Sequence, residues 1–296
     1  MAERVSVVVA TYRREHMLVD TLNDLIQQEY PDFEVLVVDQ TPEHTPEVAA
    51  YLNAFHASGG RHQWLVTDTP GLTRARNLGL AQATGEIVVY VDDDVRIPDT
   101  AFLQHHVDAF KDPAVGAVAG RVLEPHRPPF TVSHRVGWLG FWGTREPGFG
   151  TAVSGYAESV RGCNMSFRRL VLEHIGGFDE SYTRSAYRED TDVAFRVKRA
   201  GYRLWFSAEA WLYHLSSAEG GTRDRSIPVA EDIILNDVRF ARKNLGGFQR
   251  AAWFLRLYGS RVVKAGITAG RFQERHQAFR MALTQTKGGP SGEGGR

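Results

Sequence analysis

Apolar runs of strand length alternate with segments of helical period through the first 120 residues, and no other feature of this chain restricts its fold as strongly. The runs at 5–10, 34–38, 63–66, 87–91 and 115–119 are rich in β-branched residues and almost unbroken, as strands buried on both faces must be. Between them, Met17, Leu18, Leu22, Leu25 and Ile26 recur at helical spacing. Segments 46–56 and 72–83 read as helices too, as does a segment carrying Phe102, Val107 and Phe110. Pro31 and Gly85 supply the stops. This order predicts an α/β fold: a Rossmann-like, mixed but mostly parallel sheet flanked by helices.

Beyond it the pattern changes. Residues 124–158 lose periodicity and gather Pro, Gly and aromatic side chains, among them Trp138 and Trp142, which either stack on a ligand or pack internally. A strand is expected over 160–167, a helix over 190–200 and two short strands at 203–206 and 210–214. From 227 the chain reads as helices, and 286–296 as a Gly-rich flexible tail. The expected division is therefore a domain over 1–226, with halves of about 1–120 and 121–226, followed by a helical extension over 227–285.

Charge narrows the partners. With 35 Lys+Arg against 35 Asp+Glu the chain is neutral, and no global field recruits nucleic acid. Residues 239–280 nevertheless carry +9 and residues 281–296 a further +1, which leaves −10 on 1–238. Phe248, Trp253, Phe254, Leu257 and Tyr258 interleave with those bases. Such helices suit an anionic membrane surface, the catalytic domain or another subunit of a homo-oligomer. The single cysteine, Cys163, excludes an internal disulfide framework and fits a reducing compartment. No secretory h-region opens the chain and no apolar run approaches the ~20 residues of a membrane span. The expectation is a cytoplasmic protein, soluble or peripheral at the inner face of the membrane.

The chemistry-bearing residues collect at strand ends. Asp92, Asp93 and Asp94 follow the run at 87–91, at the carboxyl edge of a parallel sheet, where open α/β folds bind ligands. Three adjacent carboxylates repel one another and are relieved by a divalent cation, with oxygen ligands favouring Mg²⁺ or Mn²⁺. Thr11, Tyr12 and Arg13 end the first strand and Asp39 the second, so a nucleotide can lie across the same edge. Arg74, Arg76 and Asn77 open a helix, where anions are favoured. Glu189 and Asp190 open another, as plain caps or as a carboxylate pair able to take a proton from an alcohol. His214 closes an apolar strand and is either a packing residue or a further metal ligand. Neither Gly-x-Gly-x-x-Gly nor a P-loop follows the first strand.

Seven motifs together resemble glycosyltransferase family 2, the inverting nucleotide-sugar transferases of GT-A fold. They are Val7-Val8-Val9-Ala10-Thr11-Tyr12, the run 35–39, Arg76-Asn77-Leu78-Gly79, the run 85–94, Gly162-Cys163-Asn164-Met165, Gly176-Gly177-Phe178-Asp179 and Glu189-Asp190-Thr191-Asp192. The resemblance implies that Thr11, Tyr12, Arg13 and Asp39 line the nucleoside pocket, and that Arg76 lies near base or phosphates. Asp92 and Asp93 would lie near ribose and donor sugar, and Asp94, with His214, would ligate the Mn²⁺ or Mg²⁺ that bridges the diphosphate. Asp190 would be the base on the acceptor hydroxyl, with Glu189 beside it and Gly162, Cys163 and Asn164 on the acceptor side. The partners implied are a nucleotide-diphosphate sugar and a saccharide or lipid-linked acceptor.

Departures from the family pattern sharpen the reading. Asp39-Gln40-Thr41 stands where Asp-Asp/Asn-Gly-Ser is usual. The Gln-x-x-Arg-Trp motif of processive synthases is absent, since residues 249–253 hold Gln, Arg and Trp in another order. A single addition is expected. Gly220-Gly221-Thr222-Arg223 could form a lid with Arg223 clamping the diphosphate. The rivals are a retaining GT-A transferase and a sugar-nucleotide-binding protein without turnover.

Overall fold

A computed structural model describes residues 3–58, 61–125, 135–142, 145–146, 148–216, 220–221 and 229–285. Two compact units emerge: Met1–Leu139 with Arg145–Asp224, and Gly140–Thr144 with Arg225–Arg296.

The first unit begins as the periodicity predicts. β1 (Val5–Thr11), α1 (Glu15–Ile26), β2 (Phe33–Asp39), α2 (Pro46–Ala57), β3 (His62–Val66), α3 (Leu72–Gln82) and β4 (Ile87–Asp92) follow one another in βα alternation. β5 (Val95–Arg96), α4 (Phe102–Asp108) with a 3₁₀ turn, and β6 (Val115–Leu123) come next. β7 (Trp138–Leu139) and β8 (Arg145–Glu146) form a separate two-stranded ribbon. The unit closes with β9 (Gly155–Ala157), β10 (Asn164–Arg168), α5 (Arg169–His174), α6 (Glu189–Arg199) and β11 (Arg203–His214).

The main sheet runs β3-β2-β1-β4-β10-β6-β11-β5, with β9 also on β11. β1, β2, β3 and β4 are parallel, as are β6 and β11, while β10 runs antiparallel between β4 and β6. A mixed, mostly parallel sheet is what the sequence implied. Every residue of β2 is buried, and Val5, Val7, Val8 and Val9 of β1 are at most 1% exposed, which accounts for the unbroken apolar runs.

Two local expectations are corrected, and one helix is unanticipated. Residues 203–214 form one strand, because a bulge between Ser207 and Trp211 absorbs the polar interruption without ending the pairing to β6. The strand expected over 160–167 starts only at Asn164, since residues 161–163 make a bridged turn. The helix at Arg169–His174 is too short to leave a periodic signature.

In the second unit, α7 (Val229–Asn244), α8 (Gly247–Leu257), a π-helical turn at Tyr258–Lys264, α9 (Ala265–Thr268) and α10 (Phe272–Gln285) pack together. Arg271 pairs with Glu231 and Arg261 with Asp237. No described helix is long and apolar enough to cross a membrane. The expected tail at 286–296 lies outside the described residues.

His106 of α4 is fully buried beneath the sheet, with Nδ1 against Ser166 Oγ at 2.8 Å and Nε2 against Asn164 Oδ1 at 2.9 Å. Burial pushes its pKa down to about 4, so the folded chain keeps the imidazole neutral. A group whose pKa is lower folded than unfolded stabilises above the unfolded value and loses that contribution as pH falls through the folded one. Urea unfolding of the wild type is expected to lose about 3 kcal/mol between pH 6.5 and 4 on this account, a slope that His106→Gln lacks.

Candidate active site

Pairing register brings the acidic residues together. Asp92 ends β4 and lies opposite Ala10 of β1, while Thr11 lies opposite Asp39. Because Asn164 of antiparallel β10 pairs with Val91, the residue before it, Cys163, comes beside Asp92. His214 arrives from the far end of β11, where it pairs with Val95 of β5, and the Leu215 N–H donates to the Asp94 carbonyl at 2.9 Å. Five strands, β1, β2, β4, β10 and β11, thus deliver their ends to one edge of the sheet.

Two guanidiniums hold the carboxylates. Arg14, 8% exposed, lies 2.6 Å from Asp93 Oδ1 and 3.0 Å from Asp94 Oδ1. Burial still pushes Asp93 up to about 6, with Arg14 opposing the rise. Arg76, 2% exposed on α3, pairs closely with Glu189, donates to the Gly162 carbonyl at 2.9 Å and reaches Asp92 Oδ1 at 3.3 Å. Burial pushes Glu189 up to about 7, Arg76 pulls it down and Asp190 adds to the rise. Asp190 accepts from the Thr191 N–H at 2.6 Å through Oδ1, and its Oδ2 faces the Gly162 N–H at 3.3 Å. Gly162 therefore stands between Arg76 and Asp190.

The frame around these groups is rigid. Asn77 of α3 exchanges two hydrogen bonds with the Phe178 backbone, and Arg196 of α6 donates to the Gly177 carbonyl at 2.6 Å. Gly177 has φ of +66°, and a Cβ there would sit 2.6 Å from Asn77 Oδ1, so the Gly-Gly-Phe-Asp motif is a turn that locks α3 to α6. Asp192 serves the same frame, accepting from Arg196 at 2.9 Å and from the Tyr182 hydroxyl at 3.2 Å. Arg13, Arg188 and Ser216 adopt positive φ beside Thr11, Glu189 and His214, a local strain characteristic of functional loops.

The remaining expected residues are distributed as follows. Asp39 is fully buried, and its carboxylate accepts from the Thr41 N–H at 2.9 Å and from Trp64 Nε1 at 2.9 Å, with His44 Nε2 at 2.6 Å. Tyr12 is half-buried, and exposed Arg13 stacks over its ring. The side chains of Arg13 and Glu15 line a cavity of about 380 Å³ with Thr41, Pro42 and Glu43. Asn164 is fully buried, and its amide is used internally by the Arg121 and Ala210 carbonyls and by His106. Trp138 belongs to the first unit, under Arg135, whereas exposed Trp142 belongs to the second, edge-on to Phe141. Arg223 lies outside the described residues, but Gly221 donates to the Tyr12 carbonyl at 2.8 Å, which ties the start of that segment to the end of β1.

Sequence reasoning assigned no role to Arg14, His44 or Trp64. Arg14 had a signal: buried acids at one edge require a cation, and a pair of arginines follows β1 at that edge.

The donor chemistry suits a divalent cation. An Asp92 carboxylate oxygen, Cys163 Sγ and a His214 ring nitrogen lie within 4.8 Å of one another. Asp94 Oδ1 is 3.4 Å from His214 Nε2 and shares Arg14 with Asp93. Ser216 Oγ lies 3.0 Å from His214 Nδ1, leaving Nε2 turned to the acids. Burial pushes the Cys163 thiol up to about 12, which leaves it without nucleophilic character of its own.

Removing Arg76 strands two carboxylates. Arg76→Met is expected to destabilise the fold by about 3–5 kcal/mol in urea unfolding, and adding Glu189→Gln to recover part of the loss. Strictly additive losses would mean that the pair is not coupled.

Comparison with known proteins follows this geometry. The family model described as Glycosyl transferase family 2 matches residues 6–176. The O-antigen biosynthesis protein RfbC of Myxococcus xanthus is 30% identical over 244 residues, 77% of this chain, which spans 18% of that relative's length. Residues 1–349 of S. aureus TarS, solved with UDP-GlcNAc, superpose with a TM-score of 0.67 at 18% identity, covering 96% of this chain and 80% of that one. The mannosyltransferase PcManGT of Pyrobaculum calidifontis, solved with GDP-Man and Mn²⁺, gives 0.61 at 22% identity, covering 98% and 77%. At these identities the structural likeness is one of fold, and that fold is GT-A. With more than half of its length matched by the family model, the chain belongs to glycosyl transferase family 2.

Proposed function

We propose that this chain is a divalent-cation-dependent glycosyltransferase that moves one sugar from a nucleotide-diphosphate donor to an acceptor hydroxyl with inversion at the anomeric carbon. The observation that carries the reading is the bridge through Arg76 and Gly162, which couples Asp92 at the sheet edge to Glu189 and Asp190 on α6. Leaving-group stabilisation and a proton acceptor then belong to one site, as a single in-line displacement requires.

Within it, Thr11, Tyr12, Arg13 and Asp39 hold the nucleoside, with His44 and Trp64 orienting Asp39. Asp92, Asp94 and His214 would hold Mn²⁺ or Mg²⁺, which would offset the charge developing on the departing diphosphate. Arg14 neutralises Asp93, which would lie near the donor sugar. Asp190 takes the acceptor proton at Oδ2, which carries only the 3.3 Å bond from the Gly162 N–H, whereas Oδ1 accepts from both the Thr191 N–H and hydroxyl. Glu189 positions Arg76, and Trp138 offers a face to the acceptor sugar.

The second unit is the part that would bind the inner face of an anionic membrane, the surface on which lipid-linked acceptors are held. Phe248 and Leu255 stand seven residues apart on one face of α8, 83% and 72% exposed, in a unit whose residues 239–280 carry +9.

UDP-GlcNAc and GDP-Man, the donors in the two neighbouring structures, are the first probes. Asp190→Asn is expected to lower transfer about 10²–10⁴-fold while a thermal-shift titration shows donor binding retained; unchanged transfer rejects Asp190 as base. Anomeric coupling constants of the product, read by NMR, separate inversion from retention. Phosphatidylglycerol vesicles are expected to sediment the chain where phosphatidylcholine vesicles do not, and Phe248→Ser with Leu255→Ser to weaken that binding at least about tenfold.

A further inference from the structure

Cys163 is out of character for a packing cysteine. Its thiol is 4% exposed and makes no hydrogen bond to any described residue, yet it faces charge: Arg161, Asp92, Asp94 and Arg76 all act on it. Register explains the placement. The antiparallel pairing of β10 with β4 sets Cys163 beside Asp92, and the pairing of β11 with β5 brings His214 to the same point. Three side chains of different chemistry, at the ends of β4 and β11 and in the turn just before β10, each offer one ligand atom, and these atoms lie within 4.8 Å of one another. The imidazole is oriented for this by Ser216 at Nδ1, in the way that metal-binding histidines are usually held.

We propose that Cys163 Sγ is a ligand of the divalent cation at this edge, completing an oxygen, nitrogen and sulfur donor set with Asp92 and His214. The inference rests on the reading that a cation binds here at all, and it adds a selectivity. A carboxylate is indifferent between Mg²⁺ and Mn²⁺, but sulfur disfavours Mg²⁺ and favours softer ions, so the site ranks Cd²⁺ and Zn²⁺ above Mn²⁺ and Mn²⁺ above Mg²⁺. When the metal–sulfur bond forms, the thiol proton passes to solvent and nothing is oxidised or reduced. Arg14 fits the same arrangement. It holds Asp93 at 2.6 Å and leaves Asp92, the partly exposed carboxylate of the triplet, with an oxygen 3.9 Å from His214 Nε2, on the same nitrogen that Asp94 approaches at 3.4 Å.

The full chain contains a single cysteine, so the ultraviolet sulfur-to-cadmium charge-transfer band reports this one atom. Titration with Cd²⁺ alone, without nucleotide, is expected to raise the band to saturation at one equivalent, and Cys163→Ala to abolish it. His214→Ala and Asp92→Asn keep the thiol and are expected to weaken cadmium binding at least about tenfold. In competition, Mn²⁺ should displace cadmium at lower concentration than Mg²⁺, and Cys163→Ser should narrow the Mn²⁺ preference measured by thermal shift. Absence of the band overturns the proposal, and so does a band indifferent to His214→Ala, which would be a lone thiol meeting the ion. A band without any glycosyl transfer would leave this site standing and reject the function proposed above. Mn²⁺-dependent transfer without a band would do the reverse.

Discussion

Carboxylates held out of water must be answered by cations or hydrogen-bond donors, and here two arginines do so for Asp92, Asp93, Asp94 and Glu189. Arg14 neutralises Asp93 and Asp94; Arg76 joins Glu189 to Asp92 and to the Gly162 carbonyl. The rest of the first unit is organised so that these two side chains cannot move. Arg76 is carried by α3, which Asn77 bolts to the Gly176-Gly177 turn, and that turn is bolted in its place by Arg196 to α6. Arg14 is roofed by Gly220 and Gly221, where any side chain would collide with it. Burial supplies the strength of the pairs and geometry supplies their uniqueness.

The sheet was legible because its central strands are buried on both faces and therefore write themselves as continuous apolar runs. β1, β2 and β4 could hardly be read otherwise. Less of the later half was legible. A strand with a bulge looks like two strands, and a six-residue helix has no period to detect, so β11 and α5 needed the tertiary structure to define them. The reversal of β10 is likewise invisible in its own residues; it follows from where the chain enters the sheet.

At the site, residue types and strand ends pointed to Asp92, Glu189, Asp190 and His214, while the contacts between them are long-range and leave no local trace. Asn164 illustrates the limit. Cys163 before it lies at the carboxyl edge beside Asp92, but the Asn164 amide is spent on Arg121, Ala210 and His106 inside the sheet, a role that only three-dimensional packing assigns. Arg14 shows the converse, since the cation demanded by a buried triplet of acids was present in the sequence directly after the first strand.

The reversed strand has one more effect. β6 runs parallel to the early strands and so ends at their carboxyl edge, and antiparallel β10 begins at that same edge. The chain thus leaves at Glu124 and comes back at Cys163 on one rim, and between them it lays Gly155–Ala157 along β11. A replacement of this segment that keeps those three residues on Leu204–Phe206 preserves every pairing of the main sheet, whereas one that drops them strips a neighbour from β11. Variation on this rim is therefore free at its ends and constrained at its middle.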